Sequence, residues 1–244
     1  MRHALVFGGT GQIGYRLLGL LRRDGWRITA VSRQAQSDQP GLHWLQGDLG
    51  HADGIPDRVE AIFSCGPLDA FAGWYRQSAI ECGRVIAFGS TSIDTKRGSA
   101  DAGERDVARR LREGESGLFE AAATRGAAAT MLRPTLVYGA GRDTTLTRIA
   151  QLASRWGRFP LPRNADGLRQ PVHVDDLAAA AFACVGSVAT PGQAYALPGG
   201  ETLTYRDMVA RVLATLQPPP KLVELPSPLF NLAVFAAQLT GRGT

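Results

Sequence analysis

Residues 7–16 read FGGTGQIGYR, and four of the seven residues from Gly8 to Gly14 are glycine. The apolar run at residues 4–7 precedes them and predicts a buried strand. Apolar residues then recur from residue 12 to residue 23 at the spacing of one helical face, which predicts a helix. The glycines therefore lie at a strand-to-helix turn, whose backbone N–H groups favour an anion such as a diphosphate. A turn of the same shape without a ligand is the alternative.

Strand and helix patterns alternate through the rest of the first half of the chain. Further strands are predicted at residues 26–32, 43–45, 59–64, 84–89 and 128–132, and further helices at 69–82 and 102–125. This alternation predicts an α/β fold, in which helices cover both faces of a parallel sheet.

The pattern changes after Pro134, and a second part of the chain is predicted to begin there. It is expected to contain helices at residues 146–156, 176–185 and 205–216, a strand at 193–197 and a Pro- and Arg-rich loop at 159–171. A last strand and an apolar helix at residues 229–239 are expected to follow the prolines at 218–220. We therefore divide the chain into a nucleotide-binding domain, residues 1–135, and a smaller lobe, residues 136–244, that is interleaved with it.

The composition of the 244 residues is that of a globular protein, with 44% hydrophobic and 20% charged residues. The cysteines Cys65, Cys82 and Cys184 form no CxxC pair, so neither a disulfide scaffold nor a metal site is expected. No signal peptide or membrane-spanning run is visible, which predicts a cytoplasmic protein without a membrane partner. The net charge of +5 comes from scattered arginines, which do not form the basic patch of a nucleic-acid-binding protein. A monomer and a homodimer both remain open.

Four stretches together resemble one family. They are the glycine turn at residues 8–14 (GGTGQIG), LRPTLVYG at 132–139, PVHVDDLA at 171–178 and LPGGETLT at 197–204. In this order they resemble the motifs of the extended and atypical short-chain dehydrogenase/reductases, which include the NAD-dependent epimerase/dehydratase group. The resemblance implies a Rossmann-type, doubly wound sheet with a small C-terminal substrate lobe, and an NAD or NADP cofactor. It also implies a small-molecule substrate.

The resemblance implies where the cofactor is bound. The implied contacts are Gly8, Thr10, Gly11, Gln12, Ile13 and Gly14 in the turn, Arg33 and Asp48 after the second and third strands, and Ser64, Cys65, Gly66 and Pro67 after the fourth. The second strand ends without the carboxylate that holds the ribose of NAD, and Arg33 can pair with a 2′-phosphate. NADP is therefore expected over NAD, with a surface role for Arg33 as the alternative. Asp48 is implied to contact the adenine, or else it caps a loop.

The catalytic pair of the family is missing from this chain. Enzymes of the family use a tyrosine four residues before a lysine, and none of the tyrosines 15, 75, 138, 195 and 205 has one there. In the matching stretch, Arg112 and Ser116 stand at the tyrosine and lysine positions, and an arginine does not release a proton at neutral pH.

The resemblance still implies roles for four other residues. Thr91 matches the hydroxyl that holds a substrate carbonyl, although a solvated loop is the alternative. Tyr138 is expected to line the substrate cleft and Arg169 to contact a substrate phosphate, whereas His173 is expected to support the fold. Two hypotheses remain open: an atypical NAD(P)-dependent oxidoreductase or epimerase-like enzyme, and a catalytically silent NADP(H) sensor.

Overall fold

The computed structural model of the chain describes residues 1–226 and 228–230. Its strands are β1 (His3–Phe7), β2 (Arg27–Ser32), β3 (Leu42–Gln46), β4 (Arg58–Ser64), β5 (Glu81–Phe88), β6 (Ala128–Pro134), β7 (Val137–Tyr138), β8 (Arg158–Pro162), β9 (Leu168–Arg169), β10 (Val172–His173), β11 (Gln193–Leu197), β12 (Leu203–Thr204) and β13 (Lys221–Leu225). Its helices are α1 (Gln12–Arg23), α2 (Leu68–Gln77), α3 (Ser92–Thr95), α4 (Ala102–Thr124), α5 (Leu146–Trp156), α6 (Val174–Gly186) and α7 (Tyr205–Ala214). The expected apolar helix at residues 229–239 falls, beyond Phe230, outside the described residues.

The largest sheet among the described residues has seven strands, in the order β11-β6-β5-β4-β1-β2-β3. Every neighbouring pair in it is parallel. The predicted α/β fold with a doubly wound parallel sheet is therefore confirmed. Strand β1, in the interior of the sheet, is apolar from Ala4 to Phe7 and buried throughout, because helices cover both faces of the sheet.

Two buried clusters lie on the two faces of this sheet. Successive side chains of a strand point to opposite faces, so Ala4 and Val6 of β1 join one cluster and Leu5 and Phe7 join the other. Helices α1 and α6 pack together over the first face, and α2 and α4 pack together over the second. The sheet thus becomes a rigid base from whose edge the connecting loops project.

The helix predicted at residues 69–82 ends earlier than expected, and this prediction is corrected. Helix α2 ends at Gln77, and the next strand begins at Glu81 rather than at residue 84. Residues 81 and 82 pair with Arg58 and Val59 of β4, while Ile80 is buried in the core. Pairing with β4 gives the backbone N–H and C=O groups of this segment hydrogen-bond partners. This tertiary interaction outweighs the local preference for a helix.

The loop predicted at residues 159–171 also needs correction, because it contains strands. Strand β8 lies at its start and pairs in parallel with β13, and β9 lies near its end and pairs antiparallel with β12. Proline is tolerated at the edge of a sheet, where no partner needs its missing N–H. Pro160 and Pro162 therefore fit β8, which has one partner strand in a two-stranded sheet.

The chain divides into two compact units. The first unit comprises Met1–Val137 and Val172–Pro198, and the second comprises Tyr138–Pro171 and the chain from Gly199 onward. The first contains the seven-stranded sheet. The second contains α5, α7 and the two short sheets β8–β13 and β9–β12.

Candidate functional site: a dinucleotide turn and a separate cavity

The strand order of the first unit reverses between β1 and β4. From β1 the chain continues through β2 to β3 on one side, and from β4 it continues through β5 to β6 on the other. Connections that leave neighbouring strands in opposite directions open a crevice at their carboxyl ends, where ligands of such sheets bind. The residues that follow Phe7 and Ser64, which are register partners, lie at this crevice.

The glycine turn after β1 has no room for side chains at two positions. Gly8 has φ of +75°, and a Cβ there would lie 2.9 Å from the carbonyl carbon of Cys65. A Cβ on Gly14 would lie 2.1 Å from the carbonyl oxygen of Gly8, far inside van der Waals contact. The turn is closed by a hydrogen bond from the Gly11 N–H to that same oxygen at 2.9 Å. The first turn of α1 is thereby drawn tightly against the end of β1.

The amino terminus of α1 is not capped by a side chain. Gly11 is its N-cap residue, and its first turn contains no acidic residue. The helices α4, α6 and α7 are capped by Asp101, His173 and Thr204 respectively. The first N–H groups of a helix have no partner within it, and the helix dipole adds positive potential there. The α1 terminus therefore favours an anion at the crevice.

Two buried polar atoms at the same turn lack a hydrogen-bond partner among the described residues. They are Oε1 of Gln12, the first residue of α1, and Oγ of Ser64, the last residue of β4. Ser64 is 1% exposed, and buried polar groups without partners are rare in folded proteins. Together with the uncapped helix and the side-chain-free turn, the Ser64 hydroxyl fits a diphosphate, to which it can donate. Gln12 Oε1 can only accept, so it fits a donor group of a ligand, such as a ribose hydroxyl.

The stretch after β4 faces the glycine turn through its backbone. The Cys65 N–H donates to the carbonyl oxygen of Phe7 at 2.9 Å, and Pro67 is the N-cap residue of α2. Burial raises the pKa of the Cys65 thiol to about 12, so it stays neutral at physiological pH. A Cβ on Gly66 would meet nothing within 4 Å. Cys65 is therefore suited to line a cofactor rather than to act as a nucleophile.

Arg33 and Asp48 lie beyond the ends of β2 and β3. Arg33 is exposed, directly after the last residue of β2. Oδ1 of Asp48 accepts hydrogen bonds from the N–H groups of Gly50 and His51 at 2.7 and 3.0 Å. These bonds, and to a smaller extent the charge of Arg33, hold the pKa of Asp48 below its usual range. One oxygen of Asp48 thus caps a loop, and a contact with adenine stays a prediction.

The Thr91 hydroxyl donates a hydrogen bond to the carbonyl oxygen of Pro134 at 3.3 Å, which holds Thr91 at the end of β6.

Arg112 and Ser116, which stand at the family's tyrosine and lysine positions, both lie on exposed parts of α4. Arg112 donates to the carbonyl oxygen of Ile93 at 3.3 Å, and Ser116 follows one turn later. Neither side chain is a general acid of the kind that the family's tyrosine provides.

A buried ion pair beside Thr91 was not predicted from the sequence. Glu115 of α4 is 8% exposed and accepts two hydrogen bonds from the guanidinium of Arg133, which also lies 3.5 Å from Asp94. Arg133 precedes Pro134, so the pair fixes the segment that holds Thr91. The helical spacing could have predicted that Glu115 is buried, because residue 115 falls on the same face of α4 as the buried Leu118 and Ala122.

The second unit contains a cavity of about 770 Å³. Tyr138 lines it, as expected of a cleft residue. Arg169 is not one of its lining residues, because its guanidinium lies 5.6 Å from the centre of the Tyr205 ring and donates to the Leu168 carbonyl oxygen at 2.8 Å. His173, in the first unit, accepts a hydrogen bond from the Asp175 N–H at 3.2 Å and so caps α6.

Residues 4–82 match the NAD dependent epimerase/dehydratase family. The matched segment runs from β1 through the glycine turn and β4 to the start of β5, and therefore includes both sides of the crevice. The family resemblance inferred from the motifs is confirmed.

Related proteins extend the likeness beyond this epimerase/dehydratase segment. A 2-alkyl-3-oxoalkanoate reductase of Stenotrophomonas maltophilia (strain K279a) is 27% identical, over 88% of this chain and 76% of its own length. MoeE5, solved with UDP-glucose and NAD, has a TM-score of 0.71 at 18% identity, over 92% of this chain and 85% of its own. WbmF of Bordetella bronchiseptica, solved with NAD+, has a TM-score of 0.71 at 17% identity, over 92% and 81%. These structures share the fold.

The described residues contain neither a cluster of metal-ligating side chains nor a membrane-spanning helix. No group of three or more histidines, cysteines, aspartates or glutamates there is placed to hold a metal ion. None of the described helices is both long and apolar enough to span a membrane.

Proposed function

We propose that the chain is a pyridine-dinucleotide-dependent oxidoreductase or epimerase-like enzyme, with the cofactor diphosphate held by the glycine turn. The observation that carries this proposal is the turn itself, at the point where the strand order reverses. Side chains are excluded at Gly8 and Gly14, and the α1 terminus is uncapped. The family match across β1 to β4 supports the same cofactor class.

In the proposed reaction the cofactor transfers the hydride, and the chain binds the cofactor and the substrate. When bound, the dinucleotide supplies hydride transfer to or from a carbon of the substrate. The backbone N–H groups of the turn and Ser64 Oγ would hold the cofactor. Thr91 Oγ would donate a hydrogen bond to a substrate carbonyl in exchange for its present bond to the Pro134 carbonyl oxygen. The proton comes from water or from the substrate, because no tyrosine–lysine pair exists in this sequence.

We infer that the cofactor is NADP rather than NAD. β2 ends in Ser32-Arg33, without a carboxylate for the ribose hydroxyls, and the Arg33 side chain is exposed at this end of the sheet. A planar guanidinium pairs well with a phosphate. The structures of MoeE5 and WbmF contain NAD, so the inference rests on Arg33 and on the missing carboxylate alone.

The reductase from Stenotrophomonas maltophilia favours the enzyme over the silent sensor, since it is named for a redox reaction. A small-molecule substrate follows from the same relative. A cytoplasmic location fits the three free cysteines and stays a prediction, as does the choice between monomer and homodimer.

Arg33→Ala tests the cofactor preference. In the wild-type chain, NADPH at about 100 times its Kd is expected to raise the Tm by about 5 °C or more, and NADH at equal concentration by less. Arg33→Ala is expected to abolish the difference between the two shifts. The control is Arg23→Ala, which removes the same charge from an exposed site at the carboxyl end of α1. Equal shifts in the wild type, or an unchanged preference in Arg33→Ala, would remove Arg33 from the site.

Thr91→Ala tests the carbonyl donor. NADPH oxidation with a panel of carbonyl compounds is expected to slow by roughly 100-fold at saturating substrate, since one donor to a developing oxyanion is lost. Thr91→Ser keeps the hydroxyl and is expected to keep most of the rate. If Thr91→Ala turns over as fast as the wild type, Thr91 has no part in the reaction.

A further inference from the structure

The cavity of the second unit has a mainly apolar wall. Its volume of about 770 Å³ lies within the usual range for small-molecule sites. The apolar residues that line it are Leu146, Ala150, Leu203, Met208 and Val212. They come from α5, from β12 and from α7, so two helices and a short strand form this wall.

The charged residues that line the cavity already have partners. Arg211 donates to both carboxylate oxygens of Glu201 at 2.6 Å each. Asp143 accepts from the N–H groups of Thr145 and Thr147 at 3.1 and 3.0 Å, and from the Thr147 hydroxyl at 2.5 Å. One guanidinium and two carboxylates therefore give the lining a formal charge of −1.

A diphosphate is a poor ligand for such a lining. It brings two or more negative charges, and Arg211 would have to exchange a bidentate carboxylate for them. An anion placed here without that exchange would be repelled by Asp143 and Glu201. An uncharged ligand with an apolar body avoids both costs and gains from burial against the five apolar side chains.

We propose that this cavity binds an uncharged, aliphatic carbonyl or hydroxyl compound, and that it does not bind a nucleotide diphosphate sugar. The assignment rests on the proposed function, because it names the substrate class of a dinucleotide-dependent enzyme.

Direct binding tests this assignment. The full chain, saturated with NADP, is titrated with decan-2-one, decan-2-ol, UDP-glucose and UDP, and binding is followed by saturation-transfer NMR. The two uncharged compounds are expected to bind at least about tenfold more tightly than either nucleotide, which corresponds to about 1.4 kcal/mol. Tighter binding of UDP-glucose or UDP than of decan-2-one would overturn the assignment.

Matched variants locate the binding. Ala150→Phe fills the cavity and is expected to abolish decan-2-one binding, whereas Gln151→Phe adds the same ring to an exposed neighbour on α5 and is expected to leave it unchanged. Should Ala150→Phe fail to fold, Val212→Phe fills the cavity from α7. Glu201→Gln leaves Arg211 without its carboxylate partner and is expected to increase UDP binding by about tenfold. Equal decan-2-one binding by folded Ala150→Phe and Gln151→Phe would contradict the proposal.

The same samples separate this inference from the proposed function. Binding of NADPH without any binding of decan-2-one would overturn the cavity assignment and leave the cofactor proposal standing. Binding of decan-2-one that is blocked by Ala150→Phe, in a chain that binds neither dinucleotide, would support the cavity assignment and overturn the cofactor proposal.

Discussion

At the scale of single residues, Gly14 is the residue on which the shape of the glycine turn depends most. Its missing side chain lets the first turn of α1 approach the Gly8 carbonyl oxygen, which a Cβ would meet at 2.1 Å. The carbonyl is backbone and is held by the Gly11 N–H, so it cannot rotate away as a flexible side chain could. The turn and the helix terminus must therefore shift together if any side chain is introduced.

Gly14→Ala is expected to lower the free energy of unfolding by about 2–3 kcal/mol, as overpacking does, and to weaken NADPH binding. Gly19 lies on the same helix, and a Cβ there would meet nothing within 4 Å. Gly19→Ala is thus the matched control and is expected to raise the free energy of unfolding by about 0.5–1 kcal/mol. Urea unfolding and a fluorescence titration check both variants. NADPH binding by Gly14→Ala at wild-type affinity would contradict the role given to the turn.

The sequence was sufficient to predict the glycine turn but not the ion pair between Glu115 and Arg133. The glycines at 8–14 are contiguous in sequence, so a local pattern was enough to predict the turn. Glu115 and Arg133 lie 18 positions apart, on α4 and β6, and meet because the helix packs beside the strand. Each reads as an ordinary charged residue in isolation, and the pairing depends on a tertiary contact that local patterns do not encode.

At the scale of elements, the amino termini of α1 and α5 differ in their hydrogen bonding. No side chain caps the amino terminus of α1, whereas Asp143 accepts three hydrogen bonds at the amino terminus of α5. Burial raises the pKa of Asp143, but the hydrogen bonds from Thr147, Thr145 and Leu146 outweigh burial and hold the pKa below its usual range. The folded protein therefore favours the ionised carboxylate.

Asp143→Ala is expected to lower the free energy of unfolding by about 1–2 kcal/mol at pH 7. Because the pKa is lower in the folded state, the advantage of Asp143 is fully present above its unfolded pKa of about 3.9 and is lost as pH falls through the folded pKa. Urea unfolding of both proteins between pH 7 and pH 3 measures this difference, with Asp53→Ala, at a carboxylate 92% exposed, as the control. A difference that stays constant over this range would show that the charge of Asp143 contributes nothing.

Elements with a strong periodic pattern were predicted to their ends, and others were not. The helices α1 and α5 and the strand β11 have the predicted bounds, because the apolar spacing begins and ends sharply there. Helix α2 was predicted five residues too long and β8 was read as a loop, since in both places pairing with another strand decides the structure. Strand pairing is a long-range interaction that one segment does not reveal.

At the scale of the whole molecule, the chain leaves the first unit after Val137 and returns to it at Val172. The returning segment adds β11 beside β6, with Gln193 opposite Thr130 and Leu197 opposite Pro134. The sequence predicted β11 as a strand but could not state its partner, because 58 residues separate the end of β6 from its start. Sequence therefore predicted the fold class and the glycine turn between β1 and α1, whereas the cavity of the second unit required the structure.

Calorimetric titration of the wild-type chain with NADPH and with NADH tests the central claim most directly. The claim is that the turn after β1 and the uncapped terminus of α1 hold a dinucleotide diphosphate. The account predicts saturable binding of at least one of the two, with one molecule per chain and with NADPH the tighter. Absence of saturable heat with both nucleotides, for a chain shown to be folded by its cooperative thermal unfolding, would contradict it.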